Sequence, residues 1–285
     1  MKRWLAAMAL TLGLGGCSAT GVLGTLTASP SVQTAADEAY APGPRHGVDV
    51  YAPKGTVKAV VVFFYGGGWD SGARKDYRFV GQALADKGYL TFVPDYRVYP
   101  EVRYPDFLRD CAEATRWARD HAAAYDGDPR TLFLMGHSAG AYNAAMLTLD
   151  PRWLAAVGMD PRRDVRGTVG LAGPYDFLPL KSAELKTIFG PEDQRPATQP
   201  IAYVTGDGPP MLLMAGRNDT VVDPGNSERL AARIRQRGGD VQVVMFDKLS
   251  HPLIVGALAG PLTFLAPVKA LTAEFIDAHT PRPGA

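Results

Sequence analysis

Cysteine is scarce in this 285-residue chain, which contains only Cys17 and Cys111. Cys17 has a separate role, given below, so Cys111 has no partner in the same chain and an intramolecular disulfide is excluded. Cys111 falls on one helical face together with Phe107, Ala114 and Ala118. We therefore expect it to be a small buried apolar residue and not a nucleophile.

Neither sign of charge is in excess, since 30 Lys and Arg residues balance 29 Asp and Glu residues to a net charge of +1. With no block of like charge, nothing in the sequence favours nucleic acid as a partner. Repeats of fixed period and heptads are also absent, which excludes repeat arrays and coiled coils. No Cys, His and Asp cluster has the spacing of metal ligands, so we expect neither a metal nor an organic cofactor.

The N-terminal apolar stretch, residues 4–14, is too short to span a bilayer as a stable helix. Two basic residues precede it, and Leu14-Gly15-Gly16-Cys17 ends it. This tetrapeptide resembles the bacterial lipobox, in which a signal peptidase cuts before a cysteine that carries acyl chains. The resemblance implies a lipoprotein signal peptide over residues 1–16 and a lipid on Cys17. An ordinary secretory signal, or a plain N-terminal anchor with an incidental cysteine, is the alternative.

A lipidated Cys17 implies membrane attachment, because several acyl chains on one cysteine bind a membrane stably where one chain binds only marginally. By the same resemblance, Ser18 after the cysteine points to the outer membrane, facing the periplasm. Residues 17–45 are rich in Gly, Ser, Thr, Ala and Pro, which predicts a flexible tether. The remaining residues 46–285 suffice for one domain with a large core, given the 46% apolar composition.

From His46 onward, strand-like and helix-like segments alternate along the chain. The predicted strands are 57–65, 89–94, 130–135, 167–172, 211–215 and 241–246, and the predicted helices are 77–87, 105–125, 139–149, 227–236 and 261–278. This alternation predicts an α/β fold with a mostly parallel sheet and helices on both faces, whose ligands bind beyond the carboxyl ends of the strands. Residues 175–210 show no strand pattern, which predicts short helices. These helices form either a lid over the site or a plain insertion between strands.

A candidate nucleophile lies in Gly136-His137-Ser138-Ala139-Gly140, between a predicted strand and a predicted helix. A G-x-S-x-G at such a junction is a nucleophile elbow, in which a tight turn lifts the serine hydroxyl clear of the sheet. The glycines are needed because side chains at the corners of the turn would clash. The alternative is a Gly-rich turn that happens to contain serine.

A serine nucleophile needs a base, and His251 lies in the loop after the last predicted strand, where that base belongs. The other histidines lie before the first predicted strand, within a helix, inside the elbow or near the terminus: His46, His121, His137 and His279. We expect the side chain inside the elbow to point away from any partner. For His251 itself, a plain surface loop histidine is the alternative.

The acid that orients the base is expected after strand 211–215, where Asp219 and Asp223 are available. Asp219 lies in the turn directly after the strand, with Val221 and Val222 expected to pack beneath it. Asp223 is expected to cap the following helix and remains the second choice. The resulting chain order of serine, aspartate and histidine is that of the α/β-hydrolases.

Attack on a carbonyl also requires backbone donors directed at the developing oxyanion. The amide of Ala139 is one such donor by its position after the serine. The others are expected from Gly66 and Gly67, which follow strand 57–65 and let the backbone approach a substrate closely. A flexible glycine loop is the alternative.

Together these residues resemble the lipase and esterase group of the α/β-hydrolase fold that carries a His-Gly-Gly-Gly oxyanion motif. The resemblance covers about residues 48–276 and includes Tyr65-Gly66-Gly67-Gly68-Trp69, Asp95-Tyr96-Arg97 with Tyr104-Pro105, and Gly173-Pro174-Tyr175-Asp176. The spacing Gly-Gly-Gly-Trp-x-x-Gly is similar to that of small feruloyl and acetyl esterases and of kynurenine formamidase-like members.

The chain departs from this group at Tyr65, which replaces the histidine that opens the motif. The group implies that this histidine steadies the oxyanion loop by hydrogen bonding, and because tyrosine also donates a hydrogen bond, we expect activity to survive. Trp69 and Tyr175 are candidates for lining the acyl or alcohol pocket. Packing beneath the loop is the alternative for both.

The sequence therefore predicts a membrane-tethered serine hydrolase that cleaves small carboxylic esters, with a short acyl group, through an acyl-enzyme. An amidase or aryl-formamidase uses the same residues, as does an acyltransferase that passes the acyl group to a sugar or peptidoglycan hydroxyl. A catalytically inactive binding lipoprotein of the envelope is the alternative of another class. The oligomeric state is left open.

Overall fold

A computed structural model describes residues 32–281. Within that range, eight strands form one sheet in the order β1-β2-β4-β3-β5-β6-β7-β8. The strands are β1 Val32–Ala39, β2 Gly47–Pro53, β3 Ala59–Phe64, β4 Tyr89–Pro94, β5 Leu132–His137, β6 Gly167–Leu171, β7 Met211–Gly216 and β8 Val241–Phe246.

Helices connect most of the strands. The α-helices are α1 Arg78–Ala85, α2 Asp106–His121, α3 Ala139–Leu149, α4 Arg152–Ala155, α5 Pro161–Asp164, α6 Ala183–Ile188, α7 Gly225–Gln236, α8 His251–Gly256 and α9 Val268–His279. Short 3-10 helices span Arg74–Tyr77, Ala122–Tyr125, Pro129–Thr131, Glu192–Thr198, Pro200–Tyr203 and Gly260–Leu262. Across residues 32–281, no helix is both long and apolar enough to cross a membrane.

The sheet is mostly parallel, as predicted. β1 pairs with β2 and β2 with β4 in antiparallel fashion, while the pairs from β4 through β8 are parallel. Every residue of β3, β4, β5, β6 and β7 is buried. Because successive side chains point to opposite faces of a sheet, this burial means that both faces are covered. The parallel strands therefore present all their carboxyl ends at one edge.

The beginning of the sheet differs from the prediction. β1 lies within residues 17–45, which the sequence predicts as a tether, and β2 was not predicted as a strand. β1 contains mostly polar and small side chains, and its register shifts between Ala35 and Glu38. Val32 and Ala35 are partly buried against the core, and the rest of this edge strand is held mainly by its ladder to β2, so no regular hydrophobic period predicts it. The predicted signal peptide and Cys17 lie outside the described residues.

The predicted helix over residues 261–278 is wrong in its first half. α9 begins only at Val268, after Pro267, whose ring disfavours a helical residue before it. Leu265 is 36% exposed and Phe264 is 78% exposed, so this segment does not continue the apolar face of the helix. The other predicted elements are present with small shifts at their ends, and residues 175–210 hold short helices as predicted.

Cys111 lies in α2 and is fully buried, as expected from its helical face. Phe107, Ala114 and Ala118 are buried beside it in the same helix. Burial raises the pKa of the Cys111 thiol well above its ordinary value. The thiol therefore stays protonated and unreactive.

Candidate active site

The turn between β5 and α3 holds Ser138 in a conformation that few residues adopt, with φ of +56° and ψ of −123°. The two glycines of the motif make this turn possible. A Cβ on Gly136 would lie 2.2 Å from the carbonyl oxygen of Gly140, and a Cβ on Gly140 would lie 2.0 Å from that of Phe64. The glycines thus allow backbone contacts that no side chain would permit, and they hold the serine at the carboxyl edge of the sheet.

The structure brings Ser138, His251 and Asp219 together at this edge. His251 Nε2 lies 2.8 Å from Ser138 Oγ, and His251 Nδ1 lies 2.7 Å from Asp219 Oδ2. The serine and the aspartate are 8% and 7% exposed. Each side chain follows the carboxyl end of a different strand, β5, β7 or β8, so the parallel sheet makes their meeting possible.

Two backbone amides and the imidazole keep the Asp219 carboxylate ionised. The amides of Val221 and Val222 both donate to Asp219 Oδ1 at 2.9 Å. Burial by itself would raise the Asp219 pKa, but the hydrogen bonds from His251 and from these amides outweigh it and lower the pKa. Val221 is 69% exposed, so the prediction that it packs beneath the aspartate is wrong, and its amide makes the contact instead.

Asp223, the second choice for the acid, lies outside the hydrogen-bonded group. Its carboxylate accepts a hydrogen bond from the amide of Gly225, the first residue of α7, and pairs with Arg229 at 3.0 Å. This is the capping position that the sequence predicts for it.

The glycine loop after β3 lies against the elbow. A Cβ on Gly66 would come within 3.0 Å of Ser138 Cβ, and a Cβ on Gly67 (φ +138°) would lie 2.3 Å from the carbonyl oxygen of Ser71. Gly66 is buried, whereas Gly67 is partly exposed. Ala139 is the first residue of α3, so its amide has no acceptor within the helix.

The hydroxyl of Tyr77 lies near the Gly66 amide. Burial raises the pKa of the Tyr77 hydroxyl to about 12, and the nearby Gly66 amide partly offsets this rise. The oxyanion role of Gly66, Gly67 and Ala139 stays a prediction.

Tyr65 stabilises the start of the glycine loop. Its hydroxyl donates to Asp95 Oδ1 at 2.9 Å, and the hydroxyl of Tyr96 donates to its carbonyl oxygen at 2.8 Å. The ring is fully buried and stacks on Tyr96 with centroids 4.7 Å apart. The tyrosine therefore makes the kind of steadying contact that the resemblance implies for the histidine it replaces.

Arg45 is a residue of this site that the sequence reasoning missed. Its Nη2 donates to the Tyr65 hydroxyl at 3.2 Å and to the carbonyl oxygen of Gly72 at 2.8 Å, while its Nε donates to the Tyr96 carbonyl at 3.1 Å. One guanidinium thus joins both ends of the glycine loop. No pattern could have identified it, because it lies alone in a Pro- and Gly-rich segment.

The contact that His137 makes was not predicted either, because its side chain was expected to point away from any partner. Its Nε2 lies 3.1 Å from the backbone oxygen of His251, and the two rings are 4.9 Å apart. Burial, and then the neighbouring His251, lower the His137 pKa to about 3. The ring is therefore neutral at ordinary pH, and since a carbonyl only accepts, Nε2 carries the proton.

Trp69 and Tyr175 pack in the interior. Trp69 is 3% exposed, its indole N–H donates to Asn143 Oδ1 at 3.1 Å, and its ring meets Phe189 edge to face. Tyr175 is fully buried, and a Cβ on Gly170 would lie 2.0 Å from its hydroxyl. The structure thus favours the packing alternative over the pocket role for both residues.

With the fold and this geometry established, comparison with known sequences assigns the chain to a family. The BD-FAE family profile matches residues 48–234. The chain belongs to the BD-FAE family.

Curated relatives are similar to this chain over most of its length. "Probable isoprenylcysteine alpha-carbonyl methylesterase ICMEL1" of Arabidopsis thaliana is 26% identical, over 74% of this chain and 49% of that protein. "Esterase LipC" of Mycobacterium tuberculosis is 30% identical, over 62% of this chain and 48% of that protein. The chain spans about half the length of these relatives.

Solved structures share the fold. A truncated carbohydrate esterase from gut microbiota superposes with a TM-score of 0.76 at 20% identity, covering 87% of this chain and 98% of that one. Propionate-bound esterase 2 of Thermogutta terrifontis has a TM-score of 0.71 at 24% identity, covering 90% and 97%. The predicted α/β-hydrolase fold is confirmed.

Proposed function

We propose that this protein is a carboxylic ester hydrolase with Ser138, His251 and Asp219 as its catalytic triad. The observation that carries the proposal is the continuous hydrogen-bond chain from aspartate through imidazole to serine hydroxyl, with contacts of 2.7 and 2.8 Å. The free amides of the neighbouring Gly67 and Ala139 supply what acyl transfer requires beside such a chain.

In the proposed reaction, His251 Nε2 takes the proton from Ser138 Oγ as that oxygen bonds to the ester carbonyl carbon. The amides of Gly67 and Ala139 donate to the resulting oxyanion. When the intermediate collapses, the carbon–alkoxide bond breaks and the alcohol leaves with the proton from His251. Water then repeats the sequence and releases the acid and the free serine. Asp219 holds the imidazole tautomer and stabilises its cation.

Replacement of Ser138 tests this function. We expect Ser138→Ala to lower kcat for phenyl acetate by roughly 10⁴- to 10⁶-fold, because the nucleophile is removed while binding remains. We also expect a fluorophosphonate probe to label the wild-type chain and not the variant. Unchanged hydrolysis by the variant would exclude Ser138 as nucleophile, and a wild-type chain that neither turns over esters nor reacts with the probe would favour a binding protein.

The substrate is proposed to carry a short acyl group. In support, solved structures of similar fold are the propionate-bound and butyrate-bound forms of a thermophilic esterase. A series of p-nitrophenyl esters of increasing chain length tests the proposal, and we expect kcat/KM to be greatest among the shortest acyl groups. Faster turnover of an N-formyl aniline than of phenyl acetate would instead identify an aryl-formamidase.

Attachment to the outer membrane through lipid on Cys17 is also part of the proposal, and the lipobox-like Leu14-Gly15-Gly16-Cys17 supports it. We expect Cys17→Ser to release the protein from the membrane fraction while kcat and KM stay unchanged, because the triad lies in a separate folded domain. Membrane association of a variant whose N-terminus has been cleaved would contradict the lipid anchor.

A further inference from the structure

The first described strand enters the sheet at the edge opposite the triad. Val32 pairs with Pro53 at the end of β2, and Tyr51 of β2 pairs with Thr91 near the start of β4. Val32 therefore lies beside the amino ends of the parallel strands, which we call the amino edge. Ser138 follows the carboxyl end of β5. The start of β1 therefore lies on the side of the domain away from the active site.

Exposed apolar side chains lie at the same amino edge. Phe264 is 78% exposed and Leu265 is 36% exposed, in the turn that precedes α9. Thr263 and Ala266, on either side of this pair, line an open groove of about 450 Å³. Lys87, which comes just before β4, lines the same groove. Single exposed apolar residues are common, but two consecutive large ones beside lysines resemble the surface that peripheral proteins press against lipid.

The charges around this turn favour an anionic partner. Lys54, Lys58 and Lys87 are exposed in the turns before β3 and β4, and Lys269 lines the groove. The acids in the same region are Asp277, 3.9 Å from Lys58, Asp86, which faces Lys269, and the exposed Glu274 of α9. Positive charge thus exceeds negative charge in this part of the amino edge.

We propose that the amino edge docks on an anionic phospholipid surface, with Phe264 and Leu265 in the headgroup region and the lysines on lipid phosphates. The docking rests on the proposed lipid at Cys17 to deliver the domain to the membrane. Residues 17–31 reach at most about 50 Å when fully extended, close to the ~45 Å diameter expected for such a domain. The tether by itself would therefore permit several orientations, and contacts at the amino edge select one.

This orientation has a consequence for the substrate. With the amino edge on the bilayer, Ser138 and the glycine loop face away from it, toward the aqueous compartment. The esters reached by the enzyme are then soluble or attached to material beyond the membrane surface, and not lipids of the anchoring bilayer. The opposite orientation is the competing possibility, since Val221 (69% exposed) and Leu253 (38% exposed) lie beside the triad.

Two labelled variants of the full, lipidated chain distinguish these orientations. Phe264→Cys and Val221→Cys each receive an environment-sensitive fluorophore, and buried Cys111 stays unlabelled. Each protein is reconstituted on phosphatidylcholine vesicles that contain phosphatidylglycerol and a lipid-borne quencher. We expect quenching at position 264 and little at position 221. Equal quenching at both positions, stronger quenching at position 221, or none at position 264 would overturn the proposal.

The contribution of the lysines to docking is tested with the Cys17→Ser protein, whose partitioning from solution onto the same vesicles is measured. We expect Lys87→Gln with Lys269→Gln to weaken partitioning by up to roughly 30-fold, with salt weakening the parent similarly. Lys181→Gln with Lys186→Gln, at α6, is the matched control and should change nothing. Equal effects of the two pairs would contradict the proposal. Hydrolysis of phenyl acetate is measured separately in detergent, so loss of the proposed activity is distinguished from loss of docking.

Discussion

His137 shows how a residue inside the nucleophile elbow can act on the base. Nε2 of His137 donates to the backbone oxygen of His251 at 3.1 Å, and the centroids of the two rings are 4.9 Å apart. His137 therefore helps to fix the position of the proposed base. It also remains neutral while His251 becomes a cation in the proposed reaction, because its pKa is about 3. A second positive charge at that distance would oppose formation of the imidazolium.

Replacement of His137 distinguishes a role in positioning His251 from a role in binding the substrate. His137→Phe removes the donor while keeping a planar ring, and we expect kcat to fall by about 10²-fold with KM within a factor of two, because the base is misplaced. His137→Gln retains an N–H donor and should recover much of kcat. Steady-state kinetics with phenyl acetate provide both values. Equal losses in the two variants, or a change confined to KM, would contradict the positioning role.

The same residue predicts a change of stability with pH. Because folding lowers its pKa from 6.5 to about 3, the unfolded chain binds a proton at this site that the folded chain does not. Stability is therefore lost as pH falls below about 6.5. From pH 7 to pH 5 we expect wild type to lose about 2 kcal/mol relative to His137→Gln, in urea unfolding at each pH. Parallel pH profiles for the two proteins would contradict this linkage.

The glycine loop is the element on which the proposed oxyanion site depends, and a charged cluster holds the loop in place. Asp95 accepts from the Tyr65 hydroxyl and also from the backbone and side chain of Arg74, whose guanidinium contacts Asp49 as well. Arg45 joins the two ends of the loop from the other side. These contacts fix a segment whose glycines have little conformational preference of their own.

Replacement of Arg45 tests this support at the level of the loop. We expect Arg45→Met to lower kcat by roughly 10- to 100-fold, because a loosened loop no longer aligns the Gly67 amide with the oxyanion. Arg130→Met, on an exposed arginine before β5, is the control and should have full activity. Circular dichroism checks that both variants fold. Wild-type kcat in a folded Arg45→Met would show that the loop needs no such support.

At the scale of the molecule, β1 closes one end of the sheet and brings the chain toward the active-site edge. Its removal would leave β2 as an unprotected edge and would delete the contacts of Tyr40 with the Asp95 carbonyl and of Arg74 with Asp37. The folded domain therefore extends back to at least Val32 and not only to His46.

Deletion of residues 32–40 tests the importance of this strand. We expect a cooperative unfolding transition at a temperature several degrees lower, with greater aggregation on heating, because an unpaired strand edge becomes exposed. Thermal melting with light scattering provides both measurements, and deletion of the C-terminal residues 282–285 is the control. An unchanged melting temperature would show that residues 32–40 act as the tether that the sequence predicts.

Much of this architecture follows from local patterns that the sequence contains. Continuous apolar runs predict β3, β4 and β5, because strands covered on both faces need apolar side chains at every position. The glycines around Ser138 predict the elbow, because only glycine permits its backbone contacts. The order of Ser138, Asp219 and His251 along a chain of alternating strands and helices then indicates which side chains meet at the carboxyl edge.

The sequence by itself thus determined the class of fold, the elbow and the residues that converge on it, since these depend on short-range periodicity and steric limits. Only the tertiary structure decided the pairing of β1, the burial of Tyr175 and the contacts of Arg45 and His137. Each of these depends on contacts between segments far apart in the chain. His137 and His251, for example, are 114 residues apart, and no local pattern encodes such a contact.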